Sequence, residues 1–275
     1  MLTVANFNMH AGVDGWGRPF DPIAACATFD ADVLVLQESW TNDADGPGTG
    51  QAERIAAALG YHVVTCPLAV GRLAPPHPDA TDTWLPRLGF RAENRALFVS
   101  SVRPMPGREL ASARYRSAQP GSWGIAVLTR LGRDDLVLEG SEILHLPTLP
   151  RDRVRRAAIV VDVTVEGVPL SVVGTHMPHL QNGSHRNYST LKTRLRTEAR
   201  PNAVLLGDMN LWGPPVRAFL PDWHRAVKGR TWPAWNPHSQ IDHILVRGDV
   251  EVGAAAGLPA AGSDHRPVRD ELILH

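Results

Sequence analysis

The stretch VLLGDMNLW, residues 204–212, is an apolar run that ends in a glycine, a carboxylate, a spacer and a carboxamide. A chain needing only a buried strand would gain nothing from Asp208 and Asn210 at its carboxyl end, so the two groups raise the question of what they hold there. The run has strand length, and similar runs rich in branched aliphatics and bounded by turn-formers recur along the chain. They are LTVANF (2–7), DVLVLQ (32–37), YHVVT (61–65), ALFVSS (96–101), WGIAVLT (123–129), AAIVVDVTV (157–165), PLSVVGT (169–175), NAVLLG (202–207), QIDHILV (240–246) and RPVRDELIL (266–274). Helical patterns are fewer: DPIAACAT (21–28), GQAERIAAALG (50–60) and HRNYSTLKTRLRTEAR (185–200), the last with Tyr188, Leu191 and Leu195 at helical spacing. Strands in groups with few helices between them predict an α+β layered sandwich over a regular βα alternation.

The 275 residues read as one domain, 1–275, without an internal repeat or a disordered linker. Lys+Arg and Asp+Glu are equal at 28 each, so no global field draws the chain to a polyanion, and any such partner must be gripped locally. Two cysteines, Cys26 and Cys66, lack partners at metal-ligand spacing and read as buried thiols. No run approaches the ~18 apolar residues of a membrane span, and MLTVANFNMH lacks the charged segment and apolar core of an export signal. The expectation is a cytoplasmic monomer without membrane insertion.

Set side by side, the run ends show a regularity. VANFN ends in Asn8, VLVLQE in Glu38, VVGTH in His176, VLLGDMN in Asp208 and Asn210; SQID carries Asp242, and GSDH places Asp264 and His265 before the last strand. One Asp or Asn at such a place is ordinarily a turn-former. Six coincidences drawn only from Asp, Glu, Asn and His are hard to assign to turns, and strands that gather these ends would build a polar cluster backed by an apolar wall. Crowded carboxylates repel and partly protonate unless a cation compensates them. Oxygen donors from Glu38, Asp208 and Asp242, helped by Asn8 and Asn210, suit Mg²⁺ or Mn²⁺. Zinc through His176 and His179 would need a companion set of ligands that is not evident.

The ordered set Asn8, Glu38, THM (175–177), GDMN (207–210), IDHILV (241–246) and SDHRPV (263–268) resembles the endonuclease/exonuclease/phosphatase superfamily. The likeness runs from residue 4 to 268, and its strength lies in GDMN being followed by IDHILV and SDHRPV. It implies a four-layer αββα sandwich of two mainly antiparallel sheets packed face to face, with the site where loops meet at one edge. It implies a phosphoester hydrolase in which Glu38, with Asn8 and Asp264 beside it, serves the metal, and Asp208 orients or deprotonates the attacking water. Asn210 would hold Asp208 and the phosphate. His176 and His265 would donate to the non-bridging oxygens. Asp264 would fix the orientation of His265, and Asp242 would support His176 or a second ion. Arg156 resembles a family arginine that lines the phosphate site, although solvated surface reads equally well.

Substrate is less legible. The resemblance places a nuclease ahead of a phosphodiesterase or phosphomonoesterase acting on a small molecule, lipid headgroup or sugar phosphate; a silent binding module would be expected to have lost acidic ligands that are all present. Nucleic acid would be held by RDRVRR (151–156) and the helix bearing Arg186, Lys192, Arg194, Arg196 and Arg200, unless these are merely a solvated face. Trp40, Trp123, Trp212, Trp232 and Trp235 fall near the polar run ends, and an aromatic rim led by Trp212 and Trp235 would stack on a base or sugar; packing under loops is the plain alternative. Segment 67–122, with Trp84, Arg87, Arg91, Arg95, Arg114 and Arg116, reads either as a substrate-facing lid or as scaffold.

Overall fold

The computed structural model describes residues 1–73, the backbone of 96–99, and residues 119–149, 154–180 and 183–275. In chain order the strands are β1 (Leu2–Asn8), β2 (Val33–Asn42), β3 (Tyr61–Leu73), β4 (Ala96–Val99), β5 (Gln119–Arg130), β6 (Leu136–His145) and β7 (Ala157–Val165). They continue with β8 (Val168–His176), β9 (Ala203–Asp208), β10 (His224–Arg225), β11 (Asp242–Arg247), β12 (Val250–Val252), β13 (Ala256–Gly257) and β14 (Val268–Leu274). The helices are α1 (Pro22–Ala27), α2 (Gln51–Leu59), α3 (Ser184–Glu198) and α4 (Gly213–Phe219).

Two sheets form. The first runs β12-β14-β1-β2-β5-β3-β4 with β13 attached to β14, and the second runs β10-β11-β9-β8-β7-β6. Pairing is antiparallel except for β1 with β2 and β8 with β9. Three separate apolar clusters fill the three spaces of a four-layer stack. Val4, Val35 and Val127 of the first sheet meet Ile159, Val172 and Ile244 of the second. Phe7, Leu34 and Leu128 pack outward on Cys26 of α1 and Ile55 of α2. Val160, Val173 and Leu205 pack outward on Tyr188, Leu191 and Leu195 of α3 and Val216 of α4. Strands covered on both faces explain why AAIVVDVTV and NAVLLG are nearly continuous in apolar character instead of alternating.

Local chemistry sets the helix ends. Asp21 caps α1 by accepting from the amides of Ile23 and Ala24, with Pro22 at the first position. Gly60, at φ 74°, closes α2 in the left-handed conformation that a residue without Cβ adopts at little cost. Elements that the sequence pattern passes over are those with weak patterns. β6 is an edge strand, exposed along most of its length and bulged between Leu138 and Gly140, and α4 opens on Gly213-Pro214-Pro215, which reads as a turn. No helix among the described residues is long and apolar enough to cross a membrane.

Candidate active site at the mouth between the sheets

The two parallel pairs run the same way toward one edge of the stack, so their carboxyl ends converge there. Asp208 at the end of β9 lies in register with His176 at the end of β8 on one side and with Asp242 at the start of β11 on the other. Two residues back along each strand, Leu206 and Ile244 belong to the inter-sheet core; strand alternation therefore turns Asp208 and Asp242 into the mouth of that space. Gly174, two residues before His176, lets the sheets close directly beneath the site: a Cβ there would sit 2.6 Å from Val127 Cγ2 and 3.0 Å from Val35 Cγ1 of the opposite sheet. The first sheet supplies Asn8, in register with Gln37. A bulge between Gln37 and Ser39 puts Glu38 at φ 55° and takes its side chain out of the regular alternation.

Asn8 ties the two sheets together. Its Nδ2 donates to Glu38 Oε1 (3.2 Å) and Asp208 Oδ2 (3.1 Å), while its Oδ1 accepts from the His10 amide (3.1 Å) and its carbonyl from Ser263 Oγ (2.7 Å). The other oxygen of Asp208 accepts from the backbone amide of Asn210 at 2.8 Å. The carboxamide of Asn210 donates to Met177 O (2.9 Å) and contacts His176 Nε2 (3.1 Å). The first bond fixes which end of the carboxamide carries hydrogens. His176 Nε2 is therefore an acceptor, and its proton resides on Nδ1, a buried nitrogen without a hydrogen-bond partner.

His265 departs from the sequence reading. Its Nδ1 bonds Asp242 Oδ2 at 2.9 Å, so its orienting carboxylate is Asp242, not Asp264, and Asp242 supports His265 where support of His176 or of a second ion was expected. Chain neighbours point apart: the Asp264 carboxylate turns to His10 Nδ1 and Ser263 Oγ, each 3.4 Å away. His265 Nε2 is left facing Asp208 Oδ2 at 3.9 Å.

These contacts separate the protonation states. Burial pulls the His265 imidazolium down, but the charges of Asp242, Asp264 and Asp208 together with the Asp242 hydrogen bond outweigh it and hold the group well above 6.5. His176 goes the other way, well below 6.5, because burial is reinforced by the Arg156, His179 and His265 charges. Asp208 is raised, by burial first and then by the Asp242 charge, against the opposing pull of His265, the Asn210 amide and Asn8.

Asp208, Asp242 and His265 offer ligand atoms that all lie within 4.8 Å of one another, a grouping able to hold a divalent metal. The donor chemistry fits a hard ion: Asp242 Oδ1 is buried without a partner, and the surrounding groups are carboxylates and carboxamides, with no thiolate among the described residues of the site.

Arg156, 5% exposed, contacts the carbonyl of His176 at 3.4 Å and lies 5.8 Å from the Trp123 ring, whose own centroid is 5.1 Å from that of His176. It is part of the back wall of the site, not solvated surface. The tryptophans divide. Trp40 and Trp123 are buried, and Trp235 packs on Trp16 (centroids 4.5 Å apart) above Gly15, while Trp212 is 55% exposed. Three of the five basic residues along α3 and just past its end are tied up in ion pairs: Arg194 with Glu142 and Glu198, Arg196 with Asp222, and Arg200, beyond the helix, with Glu139 and Asp162. Trp84, Arg87, Arg91, Arg95, Arg114 and Arg116 of the 67–122 segment, and Arg151 and Arg153 of RDRVRR, lie outside the described residues. Sequence reasoning passed over His10 and Ser263; a histidine two places after Asn8 and a serine beside Asp264 were the available signals.

A two-sheet αββα stack with carboxylates, imidazoles and a metal-binding group at its mouth defines a class, the metal-dependent hydrolases of phosphoric esters. The chain belongs to the endonuclease/exonuclease/phosphatase family, which it matches over residues 7–265. It is similar to the crystal structure of an endonuclease/exonuclease/phosphatase from Beutenbergia cavernae, at 23% identity and TM-score 0.61 over 99% of this chain and 71% of that one. It is similar to the sulfate-bound catalytic domain of human Nocturnin, at 17% identity and TM-score 0.62 over 100% and 93% of the two chains. It is also similar to the mannosyl-6-phosphatase Bt3783 of Bacteroides thetaiotaomicron, at 18% identity and TM-score 0.59 over the full length of both. No curated protein matches the sequence.

Proposed function

We propose that the protein hydrolyses a phosphodiester by in-line attack of water, with Mg²⁺ or Mn²⁺ as its ion. The observation that carries the diester is the charge count at the mouth. With the dication bound, Glu38, Asp208, Asp242 and Asp264 are matched by the ion, the His265 imidazolium and Arg156, so the mouth holds no surplus cation for the second charge of a dianionic monoester and suits a monoanionic diester. Asp208, fixed at both oxygens and raised toward neutrality, is suited to accept the proton of the attacking water. His265, kept protonated by Asp242, aims Nε2–H into the mouth to meet a phosphoryl or leaving oxygen. His176, whose Nε2 lies 3.6 Å from Asp208 Oδ2, would stand beside the phosphate, and Arg156 steadies the strand end that carries it.

Glu38 with Asp264 would hold the ion, which supplies Lewis-acid polarisation of the phosphate when bound. Glu38 is only partly buried, which suits an ion that keeps several waters, whereas Asp242 gives Oδ2 to His265 and keeps only its buried Oδ1 for an ion. Asn8 turns its hydrogens to the carboxylates and so anchors them.

The ion pairs along α3 favour a small phosphodiester over a long duplex that needs an unpaired basic track. A second reading, a nucleic acid taken up as an unstacked strand, is favoured by exposed Trp212, two residues beyond Asn210, on which a base would stack. The inter-sheet core, to which both Leu2 and Leu272 contribute, supports treating residues 1–275 as one domain.

The test is a panel of bis-p-nitrophenyl phosphate, p-nitrophenyl phosphate, single-stranded and supercoiled DNA, RNA, sphingomyelin and sugar phosphates, each with Mg²⁺, Mn²⁺ or EDTA. Cleavage of diesters that EDTA abolishes is the expected result. Release of phosphate from monoesters alone would overturn the diester reading, and undiminished turnover in EDTA would overturn the mechanism.

A further inference from the structure

Two side chains behind the site end on the turn that follows Asp208. Tyr188 of α3 donates its hydroxyl to Met209 O, and His243 of β11 donates Nε2–H to Leu211 O at 2.8 Å. Both are buried on the outer face of the second sheet, away from the mouth: Tyr188 packs within the α3 cluster, and His243 alternates with the inward-facing Asp242 and Ile244. Between their two acceptors stands Asn210 at φ 50°, a left-handed conformation that side-chain-bearing residues keep only where the surroundings over-determine it. The surroundings do so here. The carbonyl of Asp208 accepts from Met177 N (2.9 Å), the amide of Met209 donates to Ile241 O (2.8 Å), and the carbonyls at 209 and 211 are taken by Tyr188 and His243. What the turn delivers is the Asn210 amide on Asp208 Oδ1 and the Asn210 carboxamide on His176.

We propose that Tyr188 and His243 are positioning residues that lock the 208–211 turn in its left-handed form, so that Asp208 and His176, register partners on neighbouring strands, keep their 3.6 Å separation at the mouth. Neither touches substrate; each acts through the backbone. Burial holds His243 down at about 4, in keeping with the neutral ring whose Nε2 carries the proton that Leu211 O requires. The inference rests on reading Asp208 and His176 as the groups that meet the phosphate.

The experiment compares Tyr188→Phe, His243→Leu and Asp208→Ala. Turnover is measured on bis-p-nitrophenyl phosphate with Mn²⁺, and amide hydrogen exchange over residues 203–212 in metal-free protein. Tyr188→Phe removes one oxygen and keeps the packing, so it stands if His243→Leu fails to fold. Tyr188→Phe and His243→Leu are each expected to lower kcat about tenfold with KM nearly constant, and to speed exchange over 203–212 but not over 2–8. Unchanged exchange over 203–212 would overturn the inference. A crippled Asp208→Ala beside a fully active Tyr188→Phe overturns this inference only, whereas a fully active Asp208→Ala removes the reading of the site and the inference with it.

Discussion

His265 and Asp242 join the two sheets at the mouth of the stack: the imidazole lies on the turn leading into β14 of the first sheet, the carboxylate opens β11 of the second, and 2.9 Å separates Nδ1 from Oδ2. The bond fixes the ring orientation and, with the neighbouring charges, keeps His265 protonated above its ordinary range against the pull of burial.

Asp242→Asn follows directly. It preserves shape but removes the charge and frees the ring, and a loss of kcat on the order of 10²-fold is expected. The sign of the pH effect is fixed too. Without the carboxylate, burial is opposed only by the Asp264 and Asp208 charges and His265 loses its proton at lower pH, so the alkaline limb of the pH–rate profile should move to lower pH. An alkaline limb that stays put in Asp242→Asn would show that His265 is not the acid.

Glu38→Gln separates metal holding from the acid–base pair. If the ion is centred on Glu38, the variant should lose the rise in melting temperature that Mn²⁺ gives the wild type, and Mn²⁺ affinity by calorimetry should fall about tenfold or more. Asp242→Asn should keep most of that affinity. The reverse pattern would move the ion to the Asp208, Asp242 and His265 group.

The strands that build the site were legible because each couples an apolar run to a polar end; Asn8, Glu38, His176, Asp208 and Asp242 could be picked out from that junction. Their gathering follows from two parallel pairs running to one edge. Pairing was another matter. Asp264 precedes His265 in the chain and looked like its partner, but a turn sends neighbouring side chains in different directions, and the partner came from a strand 23 positions away. Tyr188 showed only as one rung of a helical stripe, since its hydroxyl's contact with a backbone carbonyl leaves no mark on periodicity. β6 escaped because an exposed, bulged edge strand has no apolar face to alternate.

Trp212 and Trp235 should behave differently although both fall near polar site residues in the sequence. Trp212→Ala removes an exposed ring and should raise KM for a base-bearing diester with little change in melting temperature. Trp235→Ala removes the ring that covers Gly15 and packs on Trp16, and should lower the melting temperature by several degrees. Equal KM for Trp212→Ala and wild type across base-bearing and base-free diesters would dismiss the stacking role.

Asp270 gives a stability prediction independent of catalysis. It stands on β14 between Val268 and Leu272 on the face that lines the inter-sheet core, fully buried, with no side-chain partner for either carboxylate oxygen. Burial is the first cause that raises its pKa from 3.8 to about 6, with the Glu271 charge adding and the Glu271 amide and Arg269 opposing. The fold therefore favours the protonated acid. That contribution is fully present below 3.8 and is lost as pH rises through about 6, so at pH 8 the ionised group costs on the order of 3 kcal/mol relative to its unfolded state. Asp270→Asn removes the charge while keeping the size. It should raise stability at pH 8 by about 1–3 kcal/mol, the remaining cost being an amide still without side-chain partners. The gain should shrink as pH falls from 7 to 4. Urea titrations of both proteins across that range check it, and a difference independent of pH, or a variant less stable than wild type at pH 8, would mean that the carboxylate is compensated in solution.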